Sequence, residues 1–262
     1  MPLERTTTRF NESSPMDLIK LGRHKLLQGD STKKEDVAKL MGDKKADLFL
    51  TDPPYGVSYV EKNAAVSGGV VWNAIGSKIS SDEKSLEEIK KLWFASAKNA
   101  FDFTTNKASY LWFACQGGDQ MMMMMMMIGD AGWKVRHELI WVKDSFVLGR
   151  ADYHYQHEPI LYGWKKDGSH LFYGDRKQTS TLRFPRPHNS IFHPTTKPIE
   201  LVEYLIKNHT KEGDIVLDLF GGSGTTLLAC ERLNRTCYMM EIDEKYIKTI
   251  VERYNKFQLN LF

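Results

Sequence analysis

An apolar strand, a glycine-rich turn and the start of a helix follow one another in Asp214-Ile-Val-Leu-Asp-Leu-Phe-Gly-Gly-Ser-Gly-Thr-Thr226. Because glycine has no Cβ, such a turn can approach a bound ligand closely. Glu241 ends the next predicted strand, where a carboxylate can bind the two hydroxyls of a ribose. The turn lacks the three-glycine fingerprint of a nicotinamide dinucleotide site and the Gly-Lys of a phosphate loop. The stretch therefore predicts an α/β fold with a site for an adenosine that carries no pyrophosphate.

Apolar runs alternate with amphipathic stretches on both sides of this segment, which predicts parallel strands joined by helices on both faces of a sheet. The predicted strands are 24–29, 46–51, 108–114, 134–142, 156–163, 214–219 and 236–241. The predicted helices are 33–41, 82–103, 118–131, 197–210, 224–233 and 244–257. With 262 residues, 42% of them hydrophobic, the chain is expected to form one domain over 1–262.

The sequence argues against a metal-binding protein, a secreted protein and a membrane protein. The net charge is only +3, so a nucleic-acid-binding face would have to be local. Cys115, Cys230 and Cys237 have no metal-ligand spacing and lie in or beside apolar runs, which predicts buried thiols and no metal site. The first residues do not resemble a signal peptide, and no stretch approaches the length of a membrane span. We therefore expect a soluble cytoplasmic protein with no membrane partner.

Two segments have little periodicity, 56–81 and 164–192. Long irregular loops are usually functional or disordered, and both segments follow predicted strands, which favours a function. The run Met121 to Met127 favours an adaptable core helix. A methionine-rich partner groove and a repeat without function are the alternatives.

A second buried strand ends in a carboxylate and an aromatic ring, in Asp47-Leu-Phe-Leu-Thr-Asp52-Pro-Pro-Tyr55. Pro53 and Pro54 restrict the backbone and so fix where the neighbouring groups point. The Asp52 carboxylate and the Pro53 carbonyl could accept both N–H groups of an aromatic amine such as that of adenine, whose lone pair is otherwise delocalised. Tyr55 could stack on the ring. An ordinary strand-ending turn is the alternative interpretation.

Together with Gly29-Asp30 and His193-Pro-Thr-Thr-Lys-Pro198, these motifs resemble the beta-class amino-methyltransferases of bacterial and phage DNA over about residues 22–257. The resemblance implies a class I methyltransferase fold with circularly permuted motif order. This is a doubly wound, mostly parallel α/β sheet of seven strands with one antiparallel strand, in agreement with a hairpin between Trp133 and Trp164. It also implies S-adenosylmethionine as the cofactor.

The resemblance assigns the site residue by residue. The catalytic residues it implies are Asp52, Pro53, Pro54 and Tyr55. The cofactor-binding residues it implies are Asp30, Thr196, Lys197, Asp218, Phe220, Gly221, Gly222, Ser223, Gly224, Thr225 and Glu241. Asp as the first residue of the catalytic motif usually accompanies adenine N6 methylation, whereas cytosine N4 enzymes more often begin it with Ser. Many relatives have Asn where this chain has Gly56.

Other substrates and another class of protein stay open. The same chemistry could serve cytosine N4, RNA or a protein amide. A catalytically silent DNA-binding subunit on the same fold is the alternative of a different class, although the acidic and glycine positions of both motifs are present.

The segment 164–192 has six basic and two acidic residues, a local net charge of +4. Aromatic residues lie between these charges, so the segment is expected to bind double-stranded DNA and to recognise its sequence. A solvated loop is the alternative. The basic residues are Lys165, Lys166, Arg176, Lys177, Arg183 and Arg186. The segment 149–158 resembles a target-base pocket, with Arg150, Tyr153 and His154 as contacts.

The segment 56–81 is expected to close over a flipped base, with Trp72 as a wedge or simply as a packed aromatic residue. Monomer and homodimer both stay open. A cognate restriction nuclease is a candidate partner.

Overall fold

The computed structural model describes residues 18–55, 85–146, 152–186 and 196–259. The strands are β1 Leu18–Leu21, β2 His24–Gln28, β3 Ala46–Thr51, β4 Thr104–Phe113, β5 Trp133–Val142, β6 His157–Lys165, β7 Thr181–Arg183, β8 Ile215–Asp218 and β9 Thr236–Glu241. The helices in these ranges are α1 Lys34–Met41, α2 Leu86–Phe103, α3 Gly118–Asp130, α4 Ile199–His209, α5 Thr225–Arg232 and α6 Glu244–Leu259.

All nine strands belong to one sheet in the order β1-β2-β9-β8-β3-β4-β6-β5-β7. The neighbours from β2 to β4 pair in parallel, and β6 is antiparallel to β4 and to β5. The predicted mostly parallel fold with one antiparallel strand among its seven strands is therefore confirmed. The sheet has two further edge strands that were not predicted, β1 and β7. With four and three residues, they are too short to show a period of two.

Helices cover both faces of the sheet because side chains alternate along each strand. Along β3, Phe49 packs in a core with the buried faces of α1, α2 and α3. Its neighbours Leu48 and Leu50 pack on the opposite side with α4, α5 and α6. The fold is therefore doubly wound, as predicted.

Two helices show how local sequence sets their ends and faces. Helix α2 begins at Leu86 rather than near 82 because Ser85 and Glu88 form a capping box. In α3, Met121 and Met124 are buried, whereas Met122 and Met126 are exposed. The methionine run thus forms a helix that packs one face against the core and exposes methionines on the other, in agreement with the predicted core helix.

The direction of the strands decides which residues can form one site. β2, β9, β8, β3, β4, β5 and β7 all end at the same edge of the sheet, which we call the carboxyl edge. β6 begins there and ends at the opposite edge, the amino edge. Cys115, Cys230 and Cys237 are free and buried, as predicted. Among the helices described, none has both the length and the apolar composition needed to cross a membrane.

Candidate active site

The Asp-Pro-Pro-Tyr turn (Asp52–Tyr55) and the glycine turn (Phe220–Gly224) leave neighbouring strands at the carboxyl edge. β3 pairs in parallel with β8, and the Thr51 hydroxyl at the end of β3 donates to Asp218 Oδ1 at the end of β8, at 2.9 Å. From β8 the chain continues to β9, and from β3 it continues to β4 on the other side. The strand order reverses between the two turns, and open α/β sheets bind ligands at such a point.

The glycine turn lies tightly against β9. The Phe220 N–H donates to Asp218 Oδ1 at 3.1 Å, and the Gly221 N–H donates to the Met240 carbonyl at 2.8 Å. A Cβ on Gly221 would lie 2.8 Å from the Cγ and Sδ of Met239, so a larger residue does not fit. Buried Ser223 and Thr225 flank the helix start, with their hydroxyl oxygens 3.4 Å apart.

Glu241 is buried and accepts three backbone hydrogen bonds. Its Oε2 accepts from Gly222 N at 2.7 Å, and its Oε1 accepts from Ile242 N and Asp243 N, each at 2.9 Å. Burial raises the pKa of Glu241 to about 7, although these N–H groups favour the ionised form. Burial likewise raises the pKa of Asp218 to about 7. Two carboxyl groups that titrate near neutrality therefore flank the glycine turn.

Asp30 follows β2, which pairs with β9 so that Gln28 lies opposite Glu241. The Gly29 N–H donates to the Glu241 carbonyl at 3.0 Å. Asp30 Oδ1 accepts from the backbone N–H of Thr32 at 2.9 Å and from its hydroxyl at 2.7 Å, which orders the turn before α1. The fold thus brings the predicted cofactor residues of β2, β8 and β9 to one stretch of the edge.

Both oxygens of the Asp52 carboxylate are hydrogen-bonded. Oδ1 accepts from the Tyr55 hydroxyl at 2.8 Å, and Oδ2 accepts from Lys197 Nζ at 2.6 Å. The Trp93 indole donates to the Pro54 carbonyl at 3.0 Å and ties the turn to α2. Burial, and then the charges of Asp52 and Glu158, raise the pKa of the Tyr55 hydroxyl, which therefore stays a donor.

Lys197, next to half-buried Thr196, connects Asp52 to Glu158, the last residue of the predicted base-pocket segment 149–158, and through it to Lys143, which the sequence did not single out. Its Nζ lies 3.3 Å from Glu158 Oε2, and Glu158 Oε1 lies 2.7 Å from Lys143 Nζ. Burial opposes the charged ammonium, but the Asp52 and Glu158 carboxylates outweigh it and raise the pKa of Lys197. We call Asp52, Lys197, Glu158 and Lys143 the charge chain. Charged residues at the ends of apolar strands were the available signal for Lys143 and Glu158.

The structure corrects one of the predicted DNA contacts, Lys165, and places a second, Lys166, away from the two turns. Lys165 is buried at the amino edge, where its Nζ donates to the Thr104 carbonyl at 2.8 Å and lies 4.5 Å from the centre of the Phe101 ring. Burial lowers the pKa of Lys165 to about 8. Lys166 is exposed, but it follows Lys165 at that same edge, away from the two turns. Lys165 is therefore unavailable for a DNA contact, and Lys166 lies at the amino edge because β6 runs antiparallel to its neighbours.

Residues 176–186 of the segment 164–192 run back towards the carboxyl edge. Exposed Arg176 and Lys177 follow Tyr173, whose N–H donates to Asn208 at the end of α4. Arg183 ends β7 opposite Val142, and the backbone N–H of Arg186 donates to Asp144 at 2.9 Å. These two arginines therefore lie on the same side of the sheet as the two turns.

The other predicted contacts are only partly within the described residues. Tyr153 is exposed, and the His154 ring stacks on Phe146 with centroids 5.2 Å apart. Arg150, the segment 56–81 with Trp72, and residues 187–195 lie outside the described ranges.

Curated relatives cover most of this chain. Type II methyltransferase M2.DpnII of Streptococcus pneumoniae is 27% identical over 231 residues, which is 79% of this chain and 81% of that protein. Type II methyltransferase M2.LlaDCHI of Lactococcus lactis subsp. cremoris is 27% identical over 234 residues, covering 80% and 82% of the two chains.

Solved structures have the same fold. M1.HpyAVI in complex with SAM matches with a TM-score of 0.62 at 22% identity, covering 87% of this chain and 98% of that one. The cytosine-N4-specific PvuII DNA methyltransferase matches with a TM-score of 0.61 at 17% identity, covering 91% and 92%.

A family model described as DNA methylase (N6_N4_Mtase) matches residues 46–252. This range includes both turns and the whole charge chain. The chain therefore belongs to the DNA methylase family of N6 and N4 methyltransferases.

Proposed function

We propose that this protein transfers a methyl group from S-adenosylmethionine to the N6 amine of adenine in a specific sequence of double-stranded DNA. The observation that carries the proposal is the position of the Asp52 carboxylate directly beside the glycine turn, at the point where the strand order reverses. Family membership supports DNA as the substrate. Asp as the first residue of the catalytic turn favours adenine.

The residues around the glycine turn suit an adenosine-containing cofactor. Gly221 packs directly against Met239, which holds the turn on β9, and the buried Glu241 carboxylate next to the turn is a suitable acceptor for ribose hydroxyls. Asp30, Thr196, Asp218 and the glycine turn complete the proposed cofactor site. When bound, the cofactor supplies an electrophilic methyl group on a sulfonium.

Asp52 is proposed to accept an N–H of the target amine, with the Pro53 carbonyl as the second acceptor. Such acceptors localise the amine lone pair and stabilise the positive charge that develops on the nitrogen. Because Lys197 occupies Oδ2, the amine would replace the Tyr55 hydroxyl on Oδ1. The released Tyr55 ring could then stack on the base, which contributes about 1 to 3 kcal/mol.

Within the single domain, DNA contacts are proposed for Arg183 and Arg186 at the carboxyl edge, and for Arg176 and Lys177, which follow Tyr173 nearer the amino edge. Arg176, Lys177, Arg183 and Arg186 would contact phosphates or base edges, with Tyr153, His154 and Arg150 nearer the base. The segment 164–192 remains our proposed recognition segment, without Lys165 and Lys166. The segment 56–81 is proposed to cover the flipped base. We further propose that the protein acts in the cytoplasm, with a cognate restriction nuclease as a candidate partner.

Arg183→Ala is expected to weaken DNA binding and to reduce the salt dependence of the affinity by about one phosphate contact. Lys166→Ala is the matched control, because Lys166 is also exposed and belongs to the same segment but lies at the amino edge. Fluorescence anisotropy at several salt concentrations measures both. Equal losses in the two variants would contradict the proposed orientation of DNA.

Cofactor binding is expected to strengthen as the pH rises through 7. Glu241 has a pKa of about 7 in the free protein, and its ionised form is the better acceptor for ribose hydroxyls. The Kd should fall by about tenfold between pH 6 and pH 8. Calorimetry at several pH values measures the Kd of the wild type and of Glu241→Gln. A pH dependence that comes from the cofactor's own ionisable groups would persist in the variant, whereas one that comes from Glu241 would disappear. A pH dependence that is unchanged in the variant would exclude Glu241 as its source.

The substrate itself is tested by incubating DNA with labelled cofactor and analysing the nucleosides by mass spectrometry. We expect N6-methyladenine. N4-methylcytosine is the second candidate, because the cytosine-N4-specific PvuII enzyme matches this fold with a TM-score of 0.61, close to the 0.62 of M1.HpyAVI. A protein that binds no cofactor in calorimetry would instead be a silent DNA-binding subunit, contrary to the proposal.

A further inference from the structure

We propose that Glu158 is a positioning residue of this reaction, which holds the Lys197 ammonium against Asp52 and so sets the orientation and acceptor strength of the catalytic carboxylate. The proposal rests on the proposed function. It concerns a residue at the start of β6, outside both the catalytic turn and the glycine turn.

The contacts of the Lys197 ammonium support this role. Lys197 Nζ contacts Asp52 Oδ2 at 2.6 Å and Glu158 Oε2 at 3.3 Å, and it lies 5.0 Å from the centre of the Phe113 ring. Lysine has a flexible four-carbon stem that does not by itself fix the position of its charge. Glu158 on β6 and the Phe113 ring on β4 hold the ammonium in place. Residues on two other strands therefore determine which oxygen of Asp52 contacts Lys197.

The burial of the charge chain supports the same role. The side chains of Lys197, Glu158 and Lys143 are only 9%, 17% and 6% exposed, so their charges interact strongly. Two carboxylates alternate with two ammonium groups, and the charge chain is neutral. Because Lys197 is shared between two carboxylates, it neutralises Asp52 only in part. Asp52 therefore keeps the negative potential that an amine N–H requires.

β5 and β6 do not need the ion pair between Lys143 and Glu158 to stay together. The two strands pair along their whole length, from Trp133 opposite Lys165 to Val142 opposite His157. The Gln156 side chain also donates to the Lys143 carbonyl at 3.1 Å. An ion pair that served only to join the two strands would need no residue beyond Lys143 and Glu158. The charge chain instead continues through Lys197 to the catalytic carboxylate of Asp52.

Glu158→Gln, which preserves shape and removes the charge, is expected to lower kcat by about 10- to 100-fold, the range for a displaced catalytic group. The KM for the cofactor and the thermal unfolding temperature should change little. Glu138→Gln is the matched control, because Glu138 is an exposed glutamate on β5 outside the charge chain. Wild-type kcat in a folded Glu158→Gln protein would overturn the proposal.

The split between kcat and KM provides a readout that a purely structural role would not give. Lys197 faces Asp52, which Tyr55 also contacts, and it faces Glu158, which Lys143 also contacts. None of these contacts involves the glycine turn, so Glu158→Gln should lower kcat while the KM for the cofactor stays within about threefold of the wild-type value. A loss of kcat with a matching rise in that KM would contradict the proposal.

A charge swap separates the two possible roles of the pair. In the double variant Lys143→Glu/Glu158→Lys the ion pair between β5 and β6 can form again, but a cation now faces Lys197. We expect no recovery of kcat, whereas recovery to the wild-type value would show a purely structural pair. Should either variant fail to fold, Glu158→Asp decides instead. It keeps the charge but moves it away from Lys197 by one methylene group, so a partly lowered kcat with an unchanged KM for the cofactor supports the proposal, and a wild-type kcat opposes it. Absence of transfer by the wild type would overturn the proposed function, and the role of Glu158 with it.

Discussion

Asp52→Ala is expected to lower kcat by about 100- to 1000-fold, the loss typical for one preorganised group that stabilises transition-state charge. The variant removes the acceptor for the amine and the partner of both Tyr55 and Lys197. Lys197 keeps Glu158 as a counter-charge, so the fold should tolerate the change. Cofactor affinity should change by less than about threefold, because Asp52 lies outside the contacts of the glycine turn.

Single-turnover methylation with labelled cofactor measures this loss, and calorimetry measures cofactor binding in the same preparation. Asp43→Ala is the control, because the Asp43 side chain is 85% exposed and pairs only with its neighbour Lys44 among the described ion pairs. Turnover at the wild-type rate in Asp52→Ala would refute the role assigned to the catalytic turn.

Gly221→Ala is expected to weaken cofactor binding by about 10- to 100-fold, the equivalent of the 1 to 3 kcal/mol that overpacking typically costs. The added Cβ would lie 2.8 Å from Met239 and 3.2 Å from the Met240 carbonyl. Both contacts are on β9, and Met239 is fully buried, so the turn has to move. Movement of the turn would pull the Gly222 N–H away from Glu241.

Gly129→Ala is the matched control for this substitution. A Cβ at Gly129, in α3, meets nothing within 4 Å, and alanine is the better helix former. Its cofactor Kd should equal that of the wild type, and its unfolding temperature should be unchanged or higher. If Gly221→Ala bound the cofactor as tightly as Gly129→Ala does, the glycine turn would not be the cofactor site.

Much of the fold was predictable because its signals are local. Periodicity placed the seven strands and six helices within a few residues of their observed positions. The glycine and proline turns were identified from backbone rules that depend on only a few neighbouring residues. The short strands β1 and β7 were missed because their pairing depends on the sheet they join, not on their own pattern.

The site was predictable in part. The motif order suggested that Asp52 and the glycine turn meet, and the pairing of β3 with β8 brings them together. The partner of the Trp93 indole could not be predicted, since a buried tryptophan requires an acceptor without indicating which one. Lys197 was assigned to the cofactor, whereas in the structure its ammonium contacts the catalytic carboxylate.

Local sequence alone thus determined the fold class, the two turns and the residue types needed for the chemistry. Folding decided which edge of the sheet each charge reaches. Lys165 belongs to a basic segment, yet the direction of β6 buries it at the amino edge, while the same direction brings Glu158 to the carboxyl edge. The physical reason is that strand direction and pairing are set by the packing of the whole sheet, and a reversed strand exchanges the surroundings of its two ends.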